Sequence, residues 1–294
     1  MKKTKIGIVL LLAMLMTVSA VFPAFADSEV QSCTVIGADL TEEEIASVYT
    51  MFGIDRGSVT ELTVTNAEER QYLEGKVDDS TIGSLSISCV YIQLLEEGSG
   101  LSVSCQNISW CTVGIYENAL ITAGITDARV IIAAPFAVSG TAALSGIYKA
   151  YEDMTGTSLG EEEKDAAVEE MITTGQLAEA IGAADATELV NHLKAILDET
   201  ANMTDEELYA EILSIAEQIG VSLTDEQVNQ LITLVRHLET LDTSELMGRV
   251  QQVQSVVSNF GEVAGNAEAT SFLSKLVSFF DSIANFFDRI FGGI

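Results

Sequence analysis

The chain has 294 residues, with 14 Lys or Arg against 44 Asp or Glu, which gives a net charge of −30 at pH 7. A charge of this sign repels phosphate backbones, so it excludes nucleic acid as a partner. Hydrophobic residues make up 48% of the chain and Pro occupies only two positions, a composition that excludes a disordered chain and favours helices.

Residues 1–26 have the pattern of a secretory signal peptide. Three lysines precede an apolar run over residues 6–22, and residues 24–26 (Ala-Phe-Ala) match the site that signal peptidase cuts. An uncleaved membrane anchor is the alternative, since the run is about the shortest that spans a bilayer. Cleavage before Asp27 removes the three lysines and lowers the net charge from −30 to −33. We therefore expect a protein that is secreted or associated with the cell envelope.

Residues 27–156 mix strand and helix signals and predict an α+β domain. Strands are predicted over residues 30–36, 59–64, 84–95, 101–106 and 128–134, and helices over residues 41–52, 66–73, 113–123 and 139–154. The first helix starts at the capping box Thr41-Glu42-Glu43-Glu44. We expect one mixed sheet of about five strands with helices packed mainly on one face.

A hairpin is predicted in the middle of this domain, because the turn at residues 96–100 joins the strand at 84–95 to the strand at 101–106. Cys105 then lies within about two positions of facing Cys89. A disulfide between them is one interpretation, and buried free thiols are the other. The four cysteines form no Cys-x-x-Cys motif, which argues against zinc ribbons and thioredoxin-like chemistry.

Residues 157–266 have no strand-like alternation and predict a helical region. Capping boxes begin at Thr204 and Thr224, and each precedes an apolar face with helical period. Two similar turns predict an α-hairpin, because a solenoid needs at least a third copy. The acidic run at residues 161–170 is expected to be a solvated helix face, since it lacks the ligand spacing of a calcium loop.

Residues 267–294 predict a separate amphipathic helix that is rich in Phe. Its apolar face is formed by Phe272, Leu276, Phe279, Phe280, Ile283, Phe286, Phe287 and Ile290. This face packs on the protein's own core, or it contacts a membrane surface, a protein partner or a second copy of the chain. The polar face lacks the Lys and Arg excess that is typical of membrane-surface helices.

The best candidate for a small-molecule site is the loop at residues 135–141. Pro135 is expected to end a strand, and a helix then begins at Ser139, Gly140 and Thr141. The free N–H groups of such a helix start can bind an anion, whereas a capping role for Ser139 is the simpler interpretation. The Gly-x-Ser-x-Gly pattern of a catalytic serine is absent from this loop.

We predict no catalytic residue, cofactor or metal site. His192 and His237 lie in predicted helices without the paired spacing of a zinc hydrolase. We expect both histidines to be surface or helix-end residues. A hydrolase could use a pair of carboxylates as acid and base, but no pair stands out among the 44 acidic residues.

Three stretches of the chain resemble a known family. They are Gly37–Glu43; a central block made of Asn107–Trp110, Tyr116, Ala119-Leu120, Thr122–Ile125, Ala133–Phe136 and Ser139–Leu144; and Leu223–Gln227. They are similar to the YpuA-like proteins, which are secreted proteins of Gram-positive bacteria with a domain of unknown function. The chain has Val113 where the family pattern has Pro, and the cysteines are no part of that pattern. The resemblance implies export and a common fold, and it implies no activity or site.

These observations together predict an exported, non-enzymatic protein of the cell envelope or surface that acts by binding or assembly. Two alternatives remain open. One is an envelope-directed hydrolase that uses carboxylates, and the other is a small anion-binding module at residues 135–141.

Overall fold

The computed structural model describes residues 31–264, with side chains up to residue 253. Within that range the chain forms five strands and eleven helices. The strands are β1 (Ser32–Gly37), β2 (Thr60–Val64), β3 (Cys89–Leu94), β4 (Leu101–Ile108) and β5 (Ala128–Val138). The helices are α1 (Glu42–Phe52), α2 (Asn66–Leu73), α3 (Asp79–Ile82), α4 (Val113–Thr122), α5 (Thr141–Thr155), α6 (Glu161–Ile181), α7 (Ala183–Ala195), α8 (Leu197–Thr200), α9 (Asp205–Ile219), α10 (Asp225–Leu238) and α11 (Thr243–Ala264).

Two of the predicted segments lie outside the described residues. They are the signal-peptide pattern at residues 1–26 and the Phe-rich helix at residues 267–294, so both stay predictions. Among the helices that the structure describes, none combines the length and the apolar composition needed to cross a membrane.

The five strands form one mixed sheet in the order β2-β1-β3-β5-β4. β1 is parallel to β2 and β4 is parallel to β5, while β3 runs antiparallel to both of its neighbours. On one face Val90 and Ile132 lie in the core that includes α4, α5 and α6; on the other, Tyr91 and Ile131 pack with α1. The mixed sheet with helices mainly on one face confirms the predicted α+β class.

The predicted hairpin of β3 and β4 is wrong, because β5 lies between these two strands. Cys89 pairs with Ala133 of β5, and Cys105 pairs with Ile132 of the same strand. Residues 130–134 of β5 are apolar and buried on both faces, a pattern that is typical of a strand in the middle of a sheet. Cys89 and Cys105 therefore lie on opposite sides of β5, and the four cysteines, all within the described residues, are free thiols.

Pro135 does not end β5, which continues to Val138, so that prediction is also wrong. Ala134 and Val138 direct their carbonyl oxygens towards β4, where they accept hydrogen bonds from Asn107 Nδ2 and the backbone N–H of Ser109. Because backbone groups alternate sides along a strand, Pro135 faces the opposite edge. β3 begins only at Cys89, opposite Ala133. No strand therefore lies beside Pro135 at that edge, and the N–H that Pro135 lacks costs the sheet no hydrogen bond.

The helices after residue 156 share one hydrophobic core with the sheet. Met171 of α6 and Leu189 of α7 belong to the same cluster of buried side chains as Val130 of β5. The capping boxes at Thr204 and Thr224 begin α9 and α10 as predicted, with each Thr hydroxyl accepting a backbone N–H at the third helical position. The division of the chain at residue 156 into an α+β domain and a helical region stays a prediction.

A buried ion pair links α4 to α6 and α7. Lys194 of α7 and Glu170 of α6 are 1% and 0% exposed, and their charged atoms are 2.8 Å apart. Lys194 Nζ also donates to Thr122 Oγ1 at 2.8 Å and to the carbonyl of Asn118 at 3.1 Å, both on α4. The three N–H groups of this lysine thus all donate to groups within the protein. The ion pair therefore serves the packing of the helices.

Candidate functional site

A cleft lies where β5 leads into α5. Its volume is about 260 Å³, and we call it the polar cleft. Its lining residues come from the middle of α2, from α3 and the chain that follows it, and from the β5–α5 junction. They are Glu69, Ser80, Thr81, Ile82, Gly83, Ser84, Leu85, Ile87, Ser88, Val138, Ser139, Gly140, Thr141 and Ala142.

The cleft opens because β3 is shorter than β5. The chain before β3 turns towards the end of β1, where Ser86 N–H donates to the Asp39 carboxylate at 2.7 Å and Ser86 O accepts from Asp39 N–H. Gly37 permits this approach, since a Cβ at that position would lie 2.3 Å from Ser86 O. The last residues of β5 are therefore left without a strand at that edge.

Glu69 is the ionisable group of the cleft, and it is only 1% exposed. Its Oε1 accepts a hydrogen bond from Thr141 Oγ1 at 2.5 Å, and its Oε2 accepts from Asn66 Nδ2 at 3.2 Å. Burial raises the pKa of the Glu69 carboxyl, and the hydrogen bonds from Thr141 and Asn66 and the charge of Arg70 oppose that rise. The carboxyl is thus held by neutral donors inside the protein.

Local sequence explains how Glu69 reaches this position. A capping box of Thr65 and Glu68 begins α2, one residue before the cap predicted at Asn66. Glu69 lies one helical turn before the buried Leu73, so it shares the inward face of the helix. The signal for Glu69 in the sequence was a carboxylate on the same helical face as an apolar residue. The sequence analysis did not identify Glu69 as a site residue.

Ser139, Gly140 and Thr141, the predicted anion site, all line the polar cleft. The N-cap of α5 is Gly140, with φ of 98° and no side-chain hydrogen bond, and Ser139 is not the cap. The Ser139 and Thr141 hydroxyls are 3.2 Å apart. The first turn of α5 therefore already faces an internal carboxyl, that of Glu69. Anion binding at this loop stays a prediction.

Buried side chains fix the start of α5. The Tyr116 hydroxyl donates to the Gly140 carbonyl, and both residues are buried. A Cβ at Gly140 would lie 2.5 Å from Ile108 Cγ2 and 2.7 Å from the Tyr116 hydroxyl oxygen. The positive φ and the lack of space both require glycine at this point of the cleft wall.

The chemistry available in the cleft is that of hydroxyls with one carboxyl. Five lining residues besides Thr141 carry hydroxyls, namely Ser80, Thr81, Ser84, Ser88 and Ser139. Among the lining residues, which all belong to the described part of the chain, Glu69 is the single carboxylate and no histidine, lysine or arginine is present. In the part of the chain with described side chains, no group of three His, Cys, Asp or Glu residues could hold a metal ion.

The two histidines lie elsewhere. His192 is partly buried near the end of α7, where desolvation lowers its pKa to about 4. His237 is in the last turn of α10, and its Nδ1 contacts the Glu169 carboxylate. His237 also lines a groove of about 440 Å³ with Asp165, whose carboxylate pairs with Lys76. The charges of that groove are thus largely paired within the protein.

The comparisons with known proteins identify relatives of unknown function. The model of a family described as "Protein of unknown function (DUF1002)" matches residues 36–256, a range that includes the whole polar cleft. The chain is also 35% identical over 283 residues to a Bacillus subtilis (strain 168) protein named "Uncharacterized protein YpuA", covering 94% of this chain and 95% of that protein. No solved structure matches the chain. These matches confirm the resemblance to the YpuA-like proteins.

Proposed function

The chain belongs to the DUF1002 family of proteins of unknown function, and from that premise we propose that it is an exported, non-enzymatic protein of the cell envelope or surface that acts by binding. Its binding site is the polar cleft. Export is supported by the basic start, the apolar run and the Ala-Phe-Ala site within residues 1–26. The strong negative charge suits a protein that stays soluble outside the cell.

The observation that carries the binding role is the composition of the polar cleft. It combines a buried carboxyl with several hydroxyls and with the apolar side chains of Ile82, Leu85, Ile87 and Val138. A concave surface with an apolar lining and a few convergent polar groups is typical of small-ligand sites. The close packing of Ile108 and Tyr116 around Gly140 supports this wall of the cleft.

The same composition gives less support to a hydrolase. Glycoside hydrolysis by two carboxylates needs a second carboxyl about 5–10 Å from the first, across the scissile bond. Within the described residues, Glu69 is the only carboxylate that lines the cleft. A binding role requires no second carboxylate, so it fits the cleft better.

Export is tested by expressing the whole chain in a Gram-positive host and sequencing the N-terminus of the product in the cytosol, envelope and medium. We expect the product in the envelope or medium, with Asp27 as its first residue. The matched control is a variant with Ala24→Asp and Ala26→Asp, which removes the small residues of the cleavage site and should block processing. Full-length chain that remains in the cytosol would contradict the export proposal.

A further inference from the structure

Glu69 is a buried carboxylate that forms no ion pair with a described side chain, and the positive charge of Arg70 acts on it from beyond ion-pair distance. The nearest guanidinium is that of Arg70, and its donors are used elsewhere: Nε on Asn66 Oδ1 at 3.0 Å, and the terminal nitrogens on Asp79 at 2.8 Å and the Gly83 carbonyl at 2.9 Å. A buried carboxylate without a countercharge is unfavourable. A cation that enters the polar cleft would supply the missing partner.

The hydroxyls beside Glu69 direct hydrogen-bond acceptors into the cleft. Thr141 has a single hydroxyl proton, and it donates that proton to Glu69 Oε1. In the 3.2 Å contact between the two hydroxyls, Ser139 must then be the donor and Thr141 the acceptor. The hydroxyl proton of Ser139 therefore points towards Thr141 Oγ1, and the lone pairs of Ser139 Oγ remain for a ligand.

A primary ammonium group matches these acceptors. It carries a positive charge and three N–H donors, and it accepts no hydrogen bond. The volume of about 260 Å³ suits a small ligand, and it lies below the range of sites for drug-sized molecules. Ile82, Leu85 and Val138 offer apolar surface for a short alkyl chain.

Resting on the proposed function, we propose that the polar cleft binds a small primary amine in its ammonium form, with Glu69 as the countercharge and Ser139 as a hydrogen-bond acceptor. The ammonium group lies at the start of α5, and the alkyl part lies against the apolar residues of the cleft. The ligand class is set by the carboxylate that the protein itself leaves without a cationic partner.

The test compares three probes that each have four carbons and carry different head groups: n-butylammonium, n-butanol and n-butyrate. Each is titrated into the ¹⁵N-labelled chain from Asp27 to Ile294 at about pH 8, where amines of this kind are protonated. We expect n-butylammonium to shift the amide signals of Ser84, Ser139 and Thr141 with a Kd on the order of millimolar, as suits a ligand of this size. n-Butanol should bind at least about tenfold more weakly, because it lacks the charge.

Two variants and one control locate the interaction. Glu69→Gln keeps the shape of the side chain and removes its charge, so n-butylammonium should bind at least about tenfold more weakly. Ser139→Ala alters a partly exposed residue outside the core, and it should weaken binding about threefold. Glu74→Gln removes an exposed carboxylate from the residue that directly follows α2, and it should leave binding unchanged.

The outcomes separate the ligand class from the site. Preference for n-butyrate or n-butanol at the same amides would overturn the ammonium proposal and leave the polar cleft as a binding site. If none of the probes shifts the cleft amides, both the ammonium proposal and the proposed binding site fail. If n-butylammonium binds Glu69→Gln as tightly as the parent chain, then Glu69 is not the countercharge. Should Glu69→Gln fail to fold, the comparison of Ser139→Ala with Glu74→Gln still decides.

Discussion

Glu117 should make the protein less stable as the pH rises from acidic to neutral. This residue lies on α4, partly buried, and a backbone hydrogen bond from Val103 reaches its carboxyl. Burial raises its pKa from 4.5 to about 7. In the unfolded chain the carboxyl ionises near its usual pKa, whereas the folded protein keeps the proton up to about pH 7. Between these values folding must take up a proton, so the free energy of unfolding falls as the pH rises.

The size of this effect follows from the two pKa values. At about 1.36 kcal/mol for each pKa unit, the difference between 4.5 and about 7 corresponds to about 3 kcal/mol. Glu117→Gln removes the titration and retains an oxygen for the Val103 N–H. We therefore compare the free energy of unfolding of the variant with that of the parent chain. This difference should be up to about 3 kcal/mol more favourable to the variant above about pH 7 than at about pH 4.

Urea unfolding of both chains across this pH range provides the assay, because the difference between parent and variant cancels the titration of shared groups. Glu97→Gln serves as the control, since Glu97 is exposed in the turn after β3 and surface substitutions of this kind change the free energy of unfolding by no more than about 0.5 kcal/mol. A parent–variant difference for Glu117→Gln that is equal at about pH 4 and about pH 8 would refute the argument.

Three further predictions concern the packing. Lys194→Met should cost about 3–5 kcal/mol in urea unfolding, because it leaves Glu170 buried without its partner; a neutral effect would show that the pair is not buried in solution. Gly140→Ala should cost about 1–3 kcal/mol more than Gly182→Ala, since both glycines have positive φ but only Gly140 lacks space for a Cβ. Equal costs would contradict that reasoning. Burial raises the pKa of Cys33 to about 11 and of Cys89 and Cys105 to about 12, so the thiols of the native protein should react slowly with Ellman's reagent. All four should react in denaturant, and fewer than four reactive thiols would indicate a disulfide.

Local signals in the sequence predicted the helices well. The capping boxes at Thr41, Thr204 and Thr224 begin helices where they were expected, and Gly53 and Gly124 follow the ends of α1 and α4. A capping box is satisfied by atoms within four residues of each other, so it depends little on the rest of the fold. Helix ends marked by a complete capping box or by a following glycine could therefore be predicted from the sequence alone.

Strand neighbours could not be predicted in the same way. The turn at residues 96–100 suggested a hairpin of β3 and β4, but β5 lies between them and is parallel to β4. The choice of neighbour depends on which strand must be buried on both faces, and that is decided by the whole core. The disulfide between Cys89 and Cys105, one of the two interpretations, depended on that hairpin.

The candidate site was only half predicted. Ser139, Gly140 and Thr141 were identified from the strand-to-helix pattern, whereas Glu69 lies 72 residues before Thr141 in the sequence. The two meet because α2 packs near the start of α5, a contact that no local pattern contains. The electrostatic character of the loop depends on this distant carboxyl, which changes the expected ligand from an anion to a cation.

A crystal structure of the chain from Asp27 to Ile294, grown with n-butylammonium, tests the binding role of the polar cleft most directly. We predict density for the alkyl chain against Leu85 and Val138, with the nitrogen within about 3.2 Å of a Glu69 carboxylate oxygen or Ser139 Oγ. A cleft that holds only ordered water, or a salt bridge from a side chain of the protein to Glu69, would contradict the account.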